Sequence, residues 1–312
     1  MPEDVKKAEV LLSYYNGSKY IKEQISSIVN QSWPGKIRIM IRDDGTPEDA
    51  TGFQLDNWIS AQDFGDNREV VYVKGENLGP QRSFLKLIED SGEADYYFFS
   101  DQDDHWMPEK VERCIARLEG KNQPALYCSN YSITDTDLKV EEKKAVSPDD
   151  KTFHFLRAVF FNTFPGCTMG FNRGILDNIR KLNLSDCMMH DSVAFAVAIA
   201  TGEVCYDDEP MIMHRIHESN VIGLGYRKSS LRQWIQDKTA ILKEKERYKL
   251  SAFAEELSKL PLKAEWESDV KTLAEYNGSF RKRMKLLLHS DLKRTPDRWS
   301  LSVWCRILFG LY

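Results

Sequence analysis

Cysteine is scarce and unpatterned in this 312-residue chain. Its six cysteines (Cys114, Cys128, Cys167, Cys187, Cys205 and Cys305) include no CxxC pair. This argues against a disulfide scaffold and a cysteine-ligated metal site, and points to reduced thiols in a cytosolic protein. Long apolar runs are also missing. No eighteen apolar residues stand together, and Met1 to Glu9 is charged where an export signal would be apolar, so neither a membrane span nor export is expected. An excess of positive charge is absent too. With 43 Lys and Arg against 48 Asp and Glu, the net charge of −5 argues against holding nucleic acid by bulk electrostatics. No repeat or low-complexity tract is visible. What remains is 42% apolar, 29% charged and 11% aromatic, the composition of a globular chain with a sizeable core.

The order of patterns predicts an α/β fold. Val10-Leu11-Leu12 reads as a buried strand, and Tyr20, Ile21, Ile25, Ile28 and Val29 follow at helical spacing until Pro34-Gly35. Ile37, Ile39 and Ile41 alternate as a second strand ending at Asp43-Asp44-Gly45. A helical stretch at Phe53 to Ile59, a strand at Val70 to Val73, a helix opened by Pro80 and a strand at Tyr96 to Phe99 continue the alternation. Such alternation implies a mostly parallel sheet covered on both faces, with ligands bound beyond the carboxyl ends of its strands. Those ends carry Ser13 and Tyr14, then Asp43 and Asp44, then Asp101, Asp103 and Asp104. After a charged loop at Asp135 to Lys151, Asp191 to Ile199 reads as a buried helix, and helical character continues beyond Tyr226 to about Leu260.

The stretch Asp101-Gln102-Asp103-Asp104-His105-Trp106-Met107-Pro108 sets carboxylates on alternate residues just past a strand. The spacing suits a hard divalent cation such as Mg²⁺ or Mn²⁺, which needs few protein carboxylates when a substrate phosphate completes its shell. An acidic turn capping the next helix is the plainer reading of the same residues. Likewise Asp191 can cap the helix it opens, and His217 can be a solvated loop histidine.

Taken together, the ordered segments resemble the family 2 inverting glycosyltransferases of GT-A fold over roughly residues 8 to 225. They are Leu12-Ser13-Tyr14-Tyr15-Asn16-Gly17, Arg42-Asp43-Asp44-Gly45-Thr46, Asn77-Leu78-Gly79, the acidic stretch at 101 to 108, Pro165-Gly166-Cys167-Thr168-Met169-Gly170-Phe171-Asn172-Arg173, His190-Asp191, Asp208-Glu209-Pro210 and Arg215-Ile216-His217-Glu218-Ser219-Asn220-Val221-Ile222-Gly223. The last loop departs from the commoner pattern, with Ile216 and Glu218 where glutamine and glycine are frequent. The Gly-Cys-Thr-Met and Arg-x-His segments look most like bacterial rhamnosyltransferases of surface polysaccharide assembly.

The resemblance implies a nucleotide base and ribose near Ser13, Tyr15, Asp44, Asn77 and Asp101. It implies a metal, Mn²⁺ or Mg²⁺, at Asp103 and His217, and Asp191 as the base that deprotonates the acceptor. Asp104, Trp106, Gly166, Cys167, Thr168 and His190 would lie near the donor sugar and acceptor. The implied reaction moves a sugar, dTDP-L-rhamnose being the favoured donor and a UDP-hexose the alternative, to a lipid-linked bacterial glycan. A nucleotidyltransferase would need a glycine-rich basic loop after the first strand, which Ser13 to Lys19 does not supply. A noncatalytic glycan- or membrane-binding protein would have lost Asp103 or Asp191, and both are present.

The expected organisation is a GT-A domain over 1–225, with a donor half to about 120 and an acceptor half beyond, then a helical region over 226–312. From Ser279 to Tyr312 eight Lys or Arg stand against two Asp. Phe280, Met284, Leu287 and Leu288 form one face, and Trp299, Val303, Trp304, Ile307, Leu308, Leu311 and Tyr312 another. This basic amphipathic end suits a helix lying on an anionic cytoplasmic leaflet, or alternatively one packed on its own domain or in a homodimer.

Overall fold

The computed structural model describes residues 5–47, 52–185, 188–217, 250–292 and 298–310. The loop expected at Glu218 to Gly223, the stretch from Tyr226 to 249, Cys187, Leu311, Tyr312 and the side chain of Trp299 lie outside what is described.

The first half is a parallel, helix-linked sheet, in the order β1 (Lys7–Tyr14), α1 (Ile21–Val29), β2 (Lys36–Asp43), α2 (Leu55–Ser60), β3 (Arg68–Lys74), α3 (Gly79–Asp90) and β4 (Tyr96–Ser100). β1 pairs with both β2 and β4, giving the order β3-β2-β1-β4. The chain reverses direction across the sheet between β1 and β4, and such a switch point opens a crevice at the strand ends. Side-chain alternation buries both faces. Val10, Leu12, Ile39, Ile41 and Phe98 pack with Ile21, Ile25 and Ile28 of α1, while Leu11, Met40 and Phe99 pack with Phe84, Leu87 and Ile88 of α3.

The second half is mixed. β5 (His105–Trp106), α4 (Lys110–Leu118), β6 (Ala125–Thr134), β7 (Val140–Glu142), α5 (Phe155–Phe160), β8 (Met169–Asn172), α6 (Arg173–Arg180), α7 (His190–Thr201) and β9 (Glu203–Arg215) follow. β8 runs antiparallel between β4 and β6, β6 runs parallel to β9, and β5 pairs antiparallel with β9 through His105–Met213 and Trp106–Ile212. The short β5 has a large consequence. It draws the acidic loop after β4 against the end of β9, so residues over a hundred positions apart meet at the crevice.

α7 is apolar all round, and every residue from His190 to Thr201 except Ser192 is buried, as a helix without a polar face must be. After it come α8 (Leu250–Leu257), α9 (Ala264–Ala274), α10 (Phe280–Leu287) and α11 (Arg298–Phe309), with α9 packed on α5. Leu250, Phe253, Leu257, Val270, Leu273, Leu286, Leu287, Val303 and Ile307 join the core that holds α5 and α7. The two apolar faces expected near the C-terminus are therefore each split. Leu287, Val303 and Ile307 turn inward, while Phe280, Leu288, Trp304, Leu308 and Phe309 remain exposed.

Candidate active site

Three loops at the β1/β4 switch point are tied together by hydrogen bonds to Tyr15 and Asn16. Gln102 accepts from the Tyr15 N–H at 2.8 Å and donates to the Tyr15 carbonyl at 3.0 Å, locking the loop after β1 to the acidic loop. A Cβ on Gly17 would come within 2.3 Å of the Gln102 amide, so only glycine admits this lock. Asn16, in a left-handed conformation at φ 49°, donates its N–H to Thr46 Oγ1 at 3.0 Å and fastens the third loop. Held in this way, Tyr15 is 46% exposed. Ser13 Oγ lies 2.7 Å from Ser83 Oγ, and Asn77 is exposed beside Gly45, whose φ of 76° and close approach to the Asn77 backbone require glycine.

Asp44, expected near the nucleotide base, is only 3% exposed. Its carboxylate accepts from the N–H groups of Leu78 (2.9 Å) and Gly79 (2.8 Å) and pairs with Arg42, so both oxygens are taken. The free N–H groups at the start of α3 satisfy it, as helix starts satisfy carboxylates generally. Asp44 thus shapes the Asn77 loop from beneath. Asp43 does similar work with Thr46 N–H and the Tyr72 hydroxyl.

The acidic loop concentrates charge in a small volume. Asp103 Oδ2 lies 2.9 Å from His217 Nε2, and Arg215 donates its Nε–H to the Asp103 carbonyl at 2.9 Å. The Tyr20 ring stacks on His217 with centroids 5.2 Å apart and also takes the Arg215 guanidinium at 4.7 Å. Arg215 is fixed further by Glu23 and the Thr136 carbonyl. Burial, then the neighbouring Asp104 and Asp103 charges, push Asp101 up to about 8, and burial followed by Asp104 also raises Asp103.

Asp104 sits deeper, fully buried, with Oδ1 2.7 Å from His214 Nδ1 and the Cys167 thiol alongside. Burial alone would lower the His214 pKa; Asp104, with Asp101 and Asp103, reverses this and pushes it up to about 9. Asp104 and Cys167 therefore support the loop from below, where sugar contacts were expected. Trp106 is likewise a core residue. Only 1% exposed, it packs on Phe98 and carries the Lys110 ammonium over its ring at 4.5 Å.

Asp191 lies in the first turn of α7. Its carboxylate accepts from the Ser192 N–H at 2.6 Å and from the Gly166 N–H, yet burial outweighs these bonds and pushes it up to about 6. The helix start does not outweigh burial here. His190, expected near the donor sugar and acceptor, is buried beside Asp191. It stacks on Phe84 at 3.7 Å, meets Phe99 edge-on at 4.6 Å, and burial pushes it down to about 3, so it is neutral. A Cβ on Gly166 would sit 2.6 Å from His190 Nε2, so the wedged ring and Gly166 together set the path of the loop beside Asp191. Thr168 is buried and donates its hydroxyl to the Pro165 carbonyl at 2.7 Å.

The model of the Glycosyl transferase family 2 family matches residues 9–180, more than half of the chain. The chain belongs to glycosyl transferase family 2. Among relatives, a protein named dTDP-rhamnosyl transferase RfbG of Shigella flexneri is 27% identical over 221 residues, 68% of this chain and 73% of that one. An uncharacterized glycosyltransferase of Rickettsia typhi, RT0329, is 24% identical over 67% of this chain and 64% of its own length. Among solved structures, S. aureus TarS 1-349 in complex with UDP-GlcNAc aligns with a TM-score of 0.56 at 13% identity, covering 97% of this chain and 81% of that one. The mannosyltransferase PcManGT from Pyrobaculum calidifontis, in complex with GDP-Man and Mn²⁺, aligns at 0.53 with 13% identity over 99% and 76%. The fold is that of GT-A glycosyltransferases, with a helical C-terminal region.

For this family 2 glycosyltransferase, Asp103 and His217 set a carboxylate oxygen and an imidazole nitrogen 2.9 Å apart, donor types that a divalent cation such as Mn²⁺ takes. Beneath them Asp104, Cys167 and His214 bring one donor atom each within 4.8 Å of the others. Sequence reasoning overlooked four residues that build this geometry. Gln102 and Gly17 sat inside motifs already singled out, and His214 stood next to Arg215 in a histidine-bearing run. Tyr20 gave no signal, because it reads as the first apolar residue of α1.

Proposed function

We propose that the chain is an inverting, metal-dependent rhamnosyltransferase using dTDP-L-rhamnose, with a growing lipid-linked glycan as acceptor. The observation that carries the chemistry is the buried Asp191 carboxylate, poised at about 6 in the family's base position. A base works best when its pKa lies near the working pH. Asp191 takes the proton of the acceptor hydroxyl as that oxygen attacks the anomeric carbon from the face opposite the departing diphosphate. The bond from that carbon to the diphosphate oxygen breaks, and the nucleoside diphosphate leaves. Asp103 and His217 would hold Mn²⁺ or Mg²⁺, which supplies positive charge to the leaving diphosphate. Tyr15 covers the base, and Ser13 and Asn77 line its edge.

The rhamnose preference is supported by similarity to the Shigella flexneri transferase, and a UDP-hexose donor by the fold shared with TarS. Binding of dTDP, UDP and GDP with Mn²⁺, followed by transfer assays with the matching sugar donors, separates the two. Tightest binding of dTDP with rhamnose transfer is expected; preference for UDP would favour the hexose reading. Metal-free enzyme prepared with EDTA should be inactive and recover with Mn²⁺. Full activity without metal would remove the metal from the reading.

We also place the enzyme at the inner face of the cell membrane, as a peripheral protein. Phe280, Leu288 and Phe309 are 68%, 63% and 66% exposed, in a segment where basic residues far outnumber acidic ones. No helix among the described residues is long and apolar enough to cross a membrane.

A further inference from the structure

The end of β1 carries a hydroxyl whose direction is decided from behind. Ser13 Oγ lies 2.7 Å from Ser83 Oγ of α3, and either oxygen could be the donor at that distance. Arg42 decides between them. It stands beside Ser13 in the β1–β2 register, is 5% exposed, and donates an Nη1–H to Ser83 Oγ at 3.1 Å. A guanidinium has donors only. This one is fixed by its ion pair with Asp44, by an Nη2–H bond to the Glu76 carbonyl at 2.9 Å, and by Gly75, where a Cβ would come within 2.6 Å of Nη2.

Ser83 is wholly buried, and its hydroxyl has a single hydrogen. Were Ser13 the donor, Ser83 would accept twice and its own hydrogen would be buried without an acceptor, which is the costly arrangement. With Ser83 donating to Ser13, the buried hydroxyl is satisfied. The hydrogen of Ser13 is then left over. Ser13 is half-buried at the carboxyl end of β1, where the crevice opens, and among the described residues its hydroxyl bonds only to Ser83.

We propose that Arg42 and Ser83 are positioning residues that fix Ser13 as a hydrogen-bond donor to a carbonyl oxygen of the donor nucleotide's pyrimidine base. This rests on the nucleotide-sugar reading above, in which Ser13 lines the edge of the base. Thymine and uracil both present such oxygens, at C2 and C4. Ser83 acts on the nucleotide only through Ser13, so its effect must vanish when the Ser13 hydroxyl is removed.

Calorimetry on full-length protein with Mn²⁺ tests this, using dTDP or UDP, whichever binds more tightly, its 2-thio and 4-thio analogues, and pyrophosphate. A thiocarbonyl sulfur accepts hydrogen bonds less well than oxygen, so wild-type protein should bind one of the two analogues roughly three-fold or more weakly than the parent nucleotide. Ser13→Ala should weaken nucleotide binding by roughly three- to ten-fold, abolish that discrimination and leave pyrophosphate binding unchanged. Ser83→Ala should weaken nucleotide binding by roughly two- to three-fold, and the double variant should bind no worse than Ser13→Ala. Ser83→Cys, close in size and a weak donor, should behave as Ser83→Ala does and serves where the alanine variant fails to fold. The proposal is overturned if wild-type protein binds both thio analogues as tightly as the parent nucleotide. It is equally overturned if the loss caused by changing Ser83 persists in full in the Ser13→Ala background, which would make Ser83 a support of the fold alone. Wild-type protein that binds no nucleoside diphosphate would overturn this inference together with the nucleotide-sugar reading, whereas the other two outcomes leave that reading intact.

Discussion

As the proposed base, Asp191 would trade stability for chemistry in a single side chain. Its carboxyl titrates at about 6 in the fold against an ordinary value of 3.8, so the folded protein prefers the protonated form. The stability this brings is fully present below pH 4 and is lost as pH rises through 6. A shift of about two units corresponds to roughly 3 kcal/mol at most. Asp191→Asn keeps the shape and accepts the same backbone bonds, so it should raise Tm at pH 8 and leave it unchanged at pH 4. Turnover should fall by roughly 10²-fold or more with little change in donor affinity. Wild-type turnover should climb with pH around 6, and the variant's should be flat there. Thermal melts at the two pH values and a pH–rate profile check both halves. A variant with near wild-type turnover would move the base elsewhere.

At the scale of elements, the crevice depends on loops that hold one another. Gln102 makes two hydrogen bonds to Tyr15 across the switch point and fills the space that Gly17 leaves open. Gln102→Ala breaks that lock, at a cost in stability of about 1–2 kcal/mol on the scale of its hydrogen bonds. Nucleotide binding should weaken more than this implies, because both the Tyr15 and the Asp101–Asp103 loops lose their alignment. Calorimetric affinity for dTDP and UDP with Mn²⁺ measures it, and unchanged affinity would show that the lock is structural only. The parallel half of the sheet was legible because Ile37, Ile39 and Ile41, like the other strands, announce themselves by alternation between turn residues. The site's supports were less so. Asp44, Asp104 and Trp106 look like ligand contacts in sequence, since polar and aromatic residues at strand ends usually face a cleft; burial is decided by β5 pairing with β9 and by α3 presenting its free N–H groups. Neither contact has a signature in a local stretch of chain.

At the scale of the whole molecule, the proposal gives the C-terminal helices two duties, packing and membrane binding, and this determines how the second can be tested. Leu286, Leu287, Leu292, Val303 and Ile307 belong to the same core as α5 and α7, so removing residues 279–312 would strip apolar contacts from the transferase domain itself. Loss of activity after such a deletion would say nothing about membranes. The exposed residues separate the duties. Phe280, Leu288 and Phe309 point to solvent, so replacing all three with serine should cost little stability while removing the part of vesicle binding that salt does not screen. Replacing Arg281 with glutamine should weaken the salt-sensitive part by about 1 kcal/mol, the contribution of one charge near an anionic surface. Flotation with phosphatidylserine-containing vesicles across a salt series should show wild-type binding that weakens with salt. The serine variant should bind at low salt only and lose binding more steeply as salt rises, and transfer to a short soluble acceptor should persist in both variants. Wild-type protein that fails to float at low salt would leave these exposed side chains to a second protein surface, for which the homodimer is the direct candidate and sedimentation the measurement.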